Sequence, residues 1–418
     1  MLSLDLFIRL QRLLSTWRTN MAKLAAKGGT PVRSEPFTNW PIVTDEIVEA
    51  VSDVARSGVW GHRATERSER FSRDLAQYFG VEYAIVTTNG STALELALRN
   101  LGVTFGDEVV TPACTWCATN IAPVIVGADP VFVDADPSNY CIDPDKIEEA
   151  INSRTKAIIV VHIGGYVCDM DRIMEIADKH GLPVIEDCAQ AHGSRYKGKL
   201  VGSIGAYGCF SFQRSKLMTA GEGGMVLTSD KYISDPPYGT HRPGWQMDKI
   251  LSTRKRNLGW NYRMTEFQVA VLESQLRDLE QLRLKRVENA EYLKQKLIDI
   301  EGVEALEQSL EQNYYSYLFR YDSRYFQDIP KHTFKEALAA EGITLFASPS
   351  DQGPAYRSSY FFSPRKDYSD IYCPITERIF EEESVGMPAT WMLLGEKKDM
   401  NDIIDAITKI KENLGELK

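Results

Sequence analysis

The chain reads as an α/β protein: a large domain on a seven-stranded, largely parallel sheet, followed by a smaller C-terminal α+β unit. Three observations predict this. Between about Val81 and Ser229, short apolar runs alternate with helix-spaced segments, the pattern of strands joined by crossover helices. Met264 to Ile298 is rich in Leu, Glu, Gln, Lys and Arg and has no Pro or Gly, so a long helix or a bent pair leaves the sheet region there. Strand and helix patterns then recur on a smaller scale to the C-terminus.

The strands fall at Tyr83 to Thr87, Glu108 to Thr111, Pro130 to Val133, Ala157 to His162, Pro183 to Glu186, Tyr207 to Phe212 and Met225 to Thr228. Each is a short β-branched or aromatic run bounded by turn residues. Helical spacing appears at Ser91 to Asn100, Pro144 to Ile151 and Asp171 to His180, the first opening on residues suited to capping free amides. Past the long helix, Tyr315 to Tyr321 alternates as a strand, and Thr333-Phe-Lys-Glu336 has the form of a capping box opening a helix stopped at Gly342. Ile403, Ile404, Ile407, Ile410 and Leu414 form the apolar face of a last helix. The expected division is an N-terminal extension over 1–27, a large domain over 28–275 and a small domain over 276–418.

At 418 residues the chain has room for such a pair of domains. The formal net charge of -10 argues against general affinity for nucleic acid or an anionic membrane. Arg254, Lys255 and Arg256 then read as a solvated loop or a small anion site. Seven scattered cysteines make a disulfide framework implausible and point to a reducing cytoplasm. Cys114 and Cys117 form a C-x-x-C without a second pair or nearby histidine, so they read as small buried residues. Met1 to Asn20 carries three arginines and a leucine pattern but no apolar run long enough for a signal core or a membrane span. It reads as an amphipathic helix or a translated upstream start, with Met21 as the usual first residue.

Chemistry concentrates around Lys216. It stands between the buried strand run Tyr207 to Phe212 and a loop with three glycines in six positions, Thr219 to Gly224. A lysine beside glycines is ordinarily a surface turn residue. Held rigidly in a desolvated or electropositive site, its amine becomes a nucleophile able to form an imine with an aldehyde. Such a cofactor, pyridoxal phosphate, needs four further groups, and each has a candidate. Thr88-Asn-Gly-Ser-Thr-Ala93 follows a strand and opens a helix, offering amides at Ser91 and Thr92 to a phosphate, with Ser211 adding a hydroxyl. Asp187 ends a buried strand, where it either caps a helix or keeps a pyridine nitrogen protonated. Gln190 lies in range of a ring oxygen, and Trp116, in a loop past another strand end, either stacks on the ring or serves as core. His162, His241, Arg242 and Tyr317 are candidate substrate contacts by loop position.

Four segments together resemble the DegT/DnrJ/StrS family: Asn89-Gly-Ser-Thr-Ala-Leu94, Glu186-Asp-Cys-Ala-Gln-Ala-His-Gly193, Ser211-Phe-Gln-Arg-Ser-Lys-Leu-Met-Thr-Ala-Gly-Glu-Gly-Gly224 and Asn261-Tyr-Arg-Met-Thr-Glu266. The resemblance runs from roughly Gly28 to the C-terminus. It implies a pyridoxal phosphate-dependent sugar or cyclitol aminotransferase of aspartate aminotransferase fold type I. By that resemblance Lys216 is the lysine bonded to the cofactor, Asp187 the pyridinium partner, Gln190 the ring-hydroxyl contact and Trp116 the stacking aromatic. Ser91, Thr92 and Ser211 resemble the phosphate ligands, and Asn261 the residue that reaches the phosphate from a second subunit, which implies a homodimer.

Within the family, the run around Lys216 is similar to 3-amino-5-hydroxybenzoate synthases and scyllo-inosose aminotransferases. Many sugar-nucleotide members have histidine at the position of Gln213, and many carry a bulky aromatic at that of Gly164. The resemblance implies an amino-acid donor, L-glutamate or L-glutamine, and a ketone acceptor on a sugar, sugar nucleotide or cyclitol. Two other functions stay open: a dehydrating, aromatising lyase of the aminohydroxybenzoate type, and a cofactor-binding regulator without turnover. Retention of Lys216, where dehydrating members often carry histidine, favours amino transfer.

Overall fold

The computed structural model describes residues 23–61, 65–229, 260–307, 309–345 and 353–418. Met1 to Asn20, Met21, His241, Arg242 and Arg254 to Arg256 lie outside the described residues.

In chain order, α1 (Asp45–Ser57) and α2 (Glu66–Phe79) precede β1 (Tyr83–Thr87) and α3 (Gly90–Asn100). Next come β2 (Glu108–Pro112), α4 (Ala118–Val126), β3 (Asp129–Val133), α5 (Pro144–Ala150), β4 (Thr155–Val161), α6 (Met170–His180) and β5 (Val184–Asp187). A small hairpin, β6 (Arg195–Tyr196) and β7 (Lys199–Leu200), leads to β8 (Tyr207–Ser211) and β9 (Gly224–Thr228). These strands, the hairpin apart, form one seven-stranded sheet in the order β1-β9-β8-β5-β4-β2-β3. β9 alone runs against its neighbours, pairing antiparallel with both β1 and β8.

Successive residues of each strand enter opposite cores, as the pleat requires. Ile85, Val109, Ile159, Cys209 and Val226 pack with α3, whereas Ala84, Phe210, Met225 and Leu227 pack with α2 and the long helix. Both faces are therefore covered, which is why the strands read as continuous apolar runs. The run upstream of Lys216 is a buried strand, as read from the sequence: Tyr207 through Ser211 are all buried.

The long helix α7 (Glu266–Leu297) carries the chain to β10 (Val303–Ala305), β11 (Tyr317–Tyr321), α8 (Lys331–Ala340), α9 (Pro374–Arg378), β12 (Ser384–Met387), α10 (Ala389–Met392) and α11 (Lys397–Glu412). The order of the small antiparallel sheet is β10-β11-β12. Two expectations change here. Thr333 does not cap α8: Pro330 O already accepts the Phe334 N–H, so the helix starts three residues earlier and Thr333 lies inside it. Tyr315 and Ser316 do not enter β11, because both their N–H groups turn to Gly164 O, at 2.9 and 3.0 Å.

The N-terminal segment is clamped to the small unit. Glu341, at the end of α8, accepts the N–H groups of Ala25 (2.8 Å) and Val32 (3.0 Å) and pairs with Lys409 (2.9 Å). The buried Arg33 guanidinium holds Asp399 and Asp402, both at 2.7 Å.

Candidate active site

The C-terminal ends of the parallel strands gather the site, the edge where α/β sheets place ligands. At its centre three backbones meet without side chains between them. Gly224 pairs with both Thr87 and Ser211. A methyl on Gly224 would lie 2.5 Å from the Asn89 carbonyl, and one on Gly90 would lie 2.8 Å from Ser211 Cβ. Glycine is required at both positions by close approach. The start of α3 is thereby pressed against the end of β8. Asn89 caps the helix, accepting from Thr92 N (2.9 Å), while the Thr92 hydroxyl donates to Asn89 O (2.8 Å). Thr92 is thus spent on a capping box, and Gly90 and Ser91 hold the N–H groups that helix geometry leaves without intrahelical acceptors. Ser91 is exposed, next to Gly90, which packs on Ser211.

Asp187 is buried at the end of β5, and among the described residues no cation lies within ion-pair distance of it. Burial raises its pKa, opposed by the Ala189 N–H (3.1 Å), the Thr119 hydroxyl (2.8 Å) and the charge of Lys216. Beneath it stands a pillar. Glu186 Oε1 accepts from Ile204 N (2.8 Å) and Gly205 N (2.7 Å), and Oε2 accepts from Gly202 N (2.7 Å). The Cys168 N–H donates to His162 Nδ1 (3.2 Å), so the proton of the neutral ring sits on Nε2 and is donated to Glu186 Oε2 (3.2 Å). His162, Glu186 and Cys188 cluster within 4.8 Å, but the carboxylate is already filled by donors. His162 is fully buried and belongs to this pillar, contrary to its expected role as a substrate contact. Tyr317 is likewise fully buried, because β11 turns it into the core. His192, from the same motif, sits against Phe210 and Phe212, and burial pushes its imidazole down to about 3.

Lys216 is half-buried, its backbone fixed by Lys216 N donating to Gln213 O (2.9 Å). Its Nζ lies 4.5 Å from the centre of the Tyr315 ring, a cation–π contact with a residue of the small unit. The Tyr315 hydroxyl meets Ser215 Oγ at 2.9 Å, and Ser215 donates to Gln213 Oε1 at 2.7 Å. Thr390 closes the contact from α10, its hydroxyl reaching the carbonyls of Ser215 and Tyr315, both at 3.3 Å. Arg286, fully buried on α7, ties this corner to Thr390 O (3.0 Å) and Asn313 Oδ1 (3.2 Å), and burial lowers its pKa to about 9.

Gln190 Oε1 accepts from Gly164 N (2.7 Å), leaving the amide NH2 as its donor end. Trp116 is 41% exposed, with the Tyr360 ring tilted against it, centroids 5.6 Å apart. Its loop is linked to Asp187 through Thr115 and Thr119, whose hydroxyls meet at 3.1 Å. Asn261 is exposed, standing next to Tyr262, which is buried against Glu95 and Arg99 of α3. The structure therefore gathers Ser91, Ser211, Asp187 and Lys216 on one sheet edge and leaves Asn261 at the surface. Sequence reading missed Thr119, Ser215, Tyr315 and Thr390. Thr119 follows Trp116 by one helical turn, a detectable signal, whereas no spacing links Tyr315 to Lys216.

The mixed seven-stranded sheet, with the smaller unit packed against it at the lysine, is that of the fold type I transferases. Residues 41–408 match the DegT/DnrJ/EryC1/StrS aminotransferase family, and the chain belongs to that family. It is an aminotransferase. A Micromonospora echinospora protein described as a putative L-glutamine:3-amino-2,3-dideoxy-scyllo-inosose aminotransferase is 36% identical over 415 residues, covering 95% of this chain and 99% of its own. An L-glutamine:2-deoxy-scyllo-inosose aminotransferase of Streptomyces kanamyceticus is 37% identical over 421 residues, with 94% and 97% covered. The crystal structure of 3-amino-5-hydroxybenzoic acid synthase superposes with a TM-score of 0.79 at 30% identity, covering 90% of this chain and 98% of that one. Among the described residues no helix is long and apolar enough to cross a membrane.

Proposed function

We propose that this aminotransferase uses pyridoxal 5'-phosphate to carry the amino group of L-glutamine, or L-glutamate, to the ketone of a cyclitol. The observation that carries the reading is the convergence of Lys216 and Asp187 at the ends of neighbouring strands, above the amide cradle of α3. The residues present fit the cofactor: Asp187 is a buried carboxylate without a cationic partner among the described residues, and a protonated ring nitrogen would reverse the desolvation that raises its pKa. When bound, the cofactor supplies an aldehyde for an amine and a ring that takes up the electron pair released at the donor Cα.

Lys216 would hold the cofactor through its amine, and the same amine, when free, would move the proton at the donor Cα. Asp187 keeps the ring nitrogen protonated. Gln190 offers its NH2 to the ring oxygen, and Trp116 covers a ring face. Gly90 and Ser91 amides with the Ser91 and Ser211 hydroxyls hold the phosphate, while Thr92 shapes the helix start. Asn261 reaches the phosphate of a partner subunit in a cytoplasmic homodimer. Residues 28–275 form the cofactor-binding domain and 276–418 the small domain, joined along α7. The glutamine and cyclitol assignments rest on the names of the relatives, both of which are L-glutamine:scyllo-inosose-type enzymes.

Purified protein loaded with the cofactor is expected to show a visible absorbance band that L-glutamine shifts, with ping-pong kinetics once a ketone is added. Lys216→Ala loses the lysine-bonded band; its retention would falsify the lysine assignment. Product mass separates amination, which keeps the ring hydroxyls, from the aromatising alternative, which loses water.

A further inference from the structure

Behind the Asp187 carboxylate stand two buried hydroxyls to which the reaction as described gives no part, those of Thr115 and Thr119. We propose that Thr119 is a positioning residue for amino transfer: its hydroxyl fixes the Asp187 carboxylate in the orientation in which that group meets the cofactor's ring nitrogen. This rests on the aminotransferase reading above, in which Asp187 is the partner of that nitrogen.

Asp187 Oδ2 accepts from Thr119 Oγ1 at 2.8 Å, and Oδ1 accepts from Ala189 N at 3.1 Å. One donor on each oxygen leaves lone pairs free on both, and the carboxylate cannot turn about its last bond without giving up one of the two. The donors differ in what holds them. Ala189 follows Asp187 by two residues and moves with it, whereas Thr119 belongs to α4 and is anchored on another strand. Asn120, fully buried, donates from Nδ2 to Thr111 Oγ1 and to Pro112 O, both at 3.0 Å, and so bolts the first turn of α4 to the end of β2. Thr119 N donates in turn to Trp116 O at 3.2 Å. Thr119 is therefore fixed by its own neighbours, and the carboxylate conforms to it.

The direction of the hydroxyl protons follows from the number of acceptors. Thr115 Oγ1 and Thr119 Oγ1 meet at 3.1 Å, and each hydroxyl has one proton to give. With Thr115 donating to Thr119 and Thr119 donating to Asp187, both protons are used and the carboxylate at the end of the chain is charged. In the reverse direction a protonated Asp187 donates to Thr119 and Thr119 to Thr115. The Thr115 proton, on a buried side chain, then has no acceptor among the described residues. A buried donor left unpaired is costly, so the chain runs toward Asp187 and favours its charged form, the form that pairs with a protonated ring nitrogen. Trp116 lies between the two threonines, so one turn of chain sets both the carboxylate and the backbone of the residue assigned to the ring face.

Stopped-flow absorbance of the cofactor-loaded protein with L-glutamine or L-glutamate tests this in two variants. Thr119→Val keeps the shape and removes the hydroxyl; Thr119→Ser keeps the hydroxyl. The valine variant is expected to slow the donor half-reaction at least tenfold, because hydrogen bonds to charged groups are among the stronger ones. The acid limb of its pH profile should also move to higher pH, since a donor that opposes the effect of burial on Asp187 is gone while the Lys216 charge stays. The serine variant is expected to stay within threefold of the wild type, with its profile in place. Thr119→Ala, smaller and unable to clash, carries the same expectations as the valine variant if that one does not fold.

Urea unfolding of the cofactor-free protein reads the contact without turnover. The penalty of Thr119→Val on the unfolding equilibrium constant should be at least fivefold larger with Asp187 present than on an Asp187→Ala background. Equal penalties on the two backgrounds overturn the proposal, as do valine and alanine variants that react like the wild type with an unmoved pH profile. A wild type that reacts with neither amino donor strikes the proposed function instead, and the unfolding cycle still decides whether Thr119 holds Asp187.

Discussion

Replacing Glu186 by glutamine changes one atom of the pillar under Asp187 and should loosen the loop over residues 202–205. Each carboxylate oxygen faces two donors: Ile204 and Gly205 N–H on Oε1, Gly202 N–H and His162 on Oε2. Whichever way the new amide is turned, its NH2 confronts two donors. On the Oε1 side both are backbone N–H groups and neither can adapt. On the Oε2 side, His162 can accept only by moving its proton to Nδ1, which strands the Cys168 N–H. Two buried hydrogen bonds are therefore lost in either orientation. At about 1–3 kcal/mol for each buried group left unsatisfied, the local cost is roughly 2–6 kcal/mol. Because about 1.4 kcal/mol is a factor of ten in an opening equilibrium, amide exchange at Gly202, Ile204 and Gly205 should accelerate at least tenfold where exchange follows local opening. Exchange mass spectrometry over residues 200–210 reads this directly. Unchanged protection there, with the substitution confirmed, would refute the tautomer and the donor count on which the reasoning depends.

Gly224→Ala forces a methyl to within 2.5 Å of the Asn89 carbonyl, displacing α3 from Ser211; a drop in cofactor affinity by fluorescence titration of more than tenfold is expected, with smaller effects at Gly221, which has open space around it. Tyr315→Phe keeps the ring under Lys216 and removes the bond to Ser215. A neutral hydrogen bond contributes about 0.5–1.5 kcal/mol, so the donor half-reaction should slow by no more than about tenfold, whereas Tyr315→Ala, which also removes the ring, should slow it further in stopped-flow absorbance. Lys331 is buried on the carbonyls of Ile379 and Phe380, and burial lowers its pKa to about 8 from the ordinary 10.5. Between those two values the unfolded chain binds the proton and the folded one does not, so this group makes stability rise with pH over that window; below pH 8 both states are protonated and its penalty is constant. Lys331→Met should flatten urea stability between pH 8 and 10, and an unaltered slope would reject the assignment.

Much of the sheet was legible because its strands are buried on both faces. Runs such as Ala157 to His162 need no partner to be recognised, and the observed β4 differs from that reading by two residues at the start and one at the end. Pro330 shows the limit of local signals: Thr333 to Glu336 has the letters of a capping box, yet the turn nucleated by the Pro330 carbonyl came first. His162 shows another limit, since a histidine after a strand looks the same whether it meets a substrate or a buried glutamate.

By itself the sequence located the seven strands of the large sheet and the long helix, and singled out Ser91, Asp187, Ser211 and Lys216 as candidates near the strand ends. These follow from local rules, because a parallel sheet brings all its carboxyl ends to one edge whatever joins them. Only the tertiary structure decided what surrounds them. Tyr315 lies 99 residues after Lys216, and the N-terminal segment clamped to the small unit lies before the first strand. No periodicity links such segments; they are held by buried cations with distant partners, Arg286 on Thr390 O and Asn313 Oδ1 and Arg33 on Asp399 and Asp402.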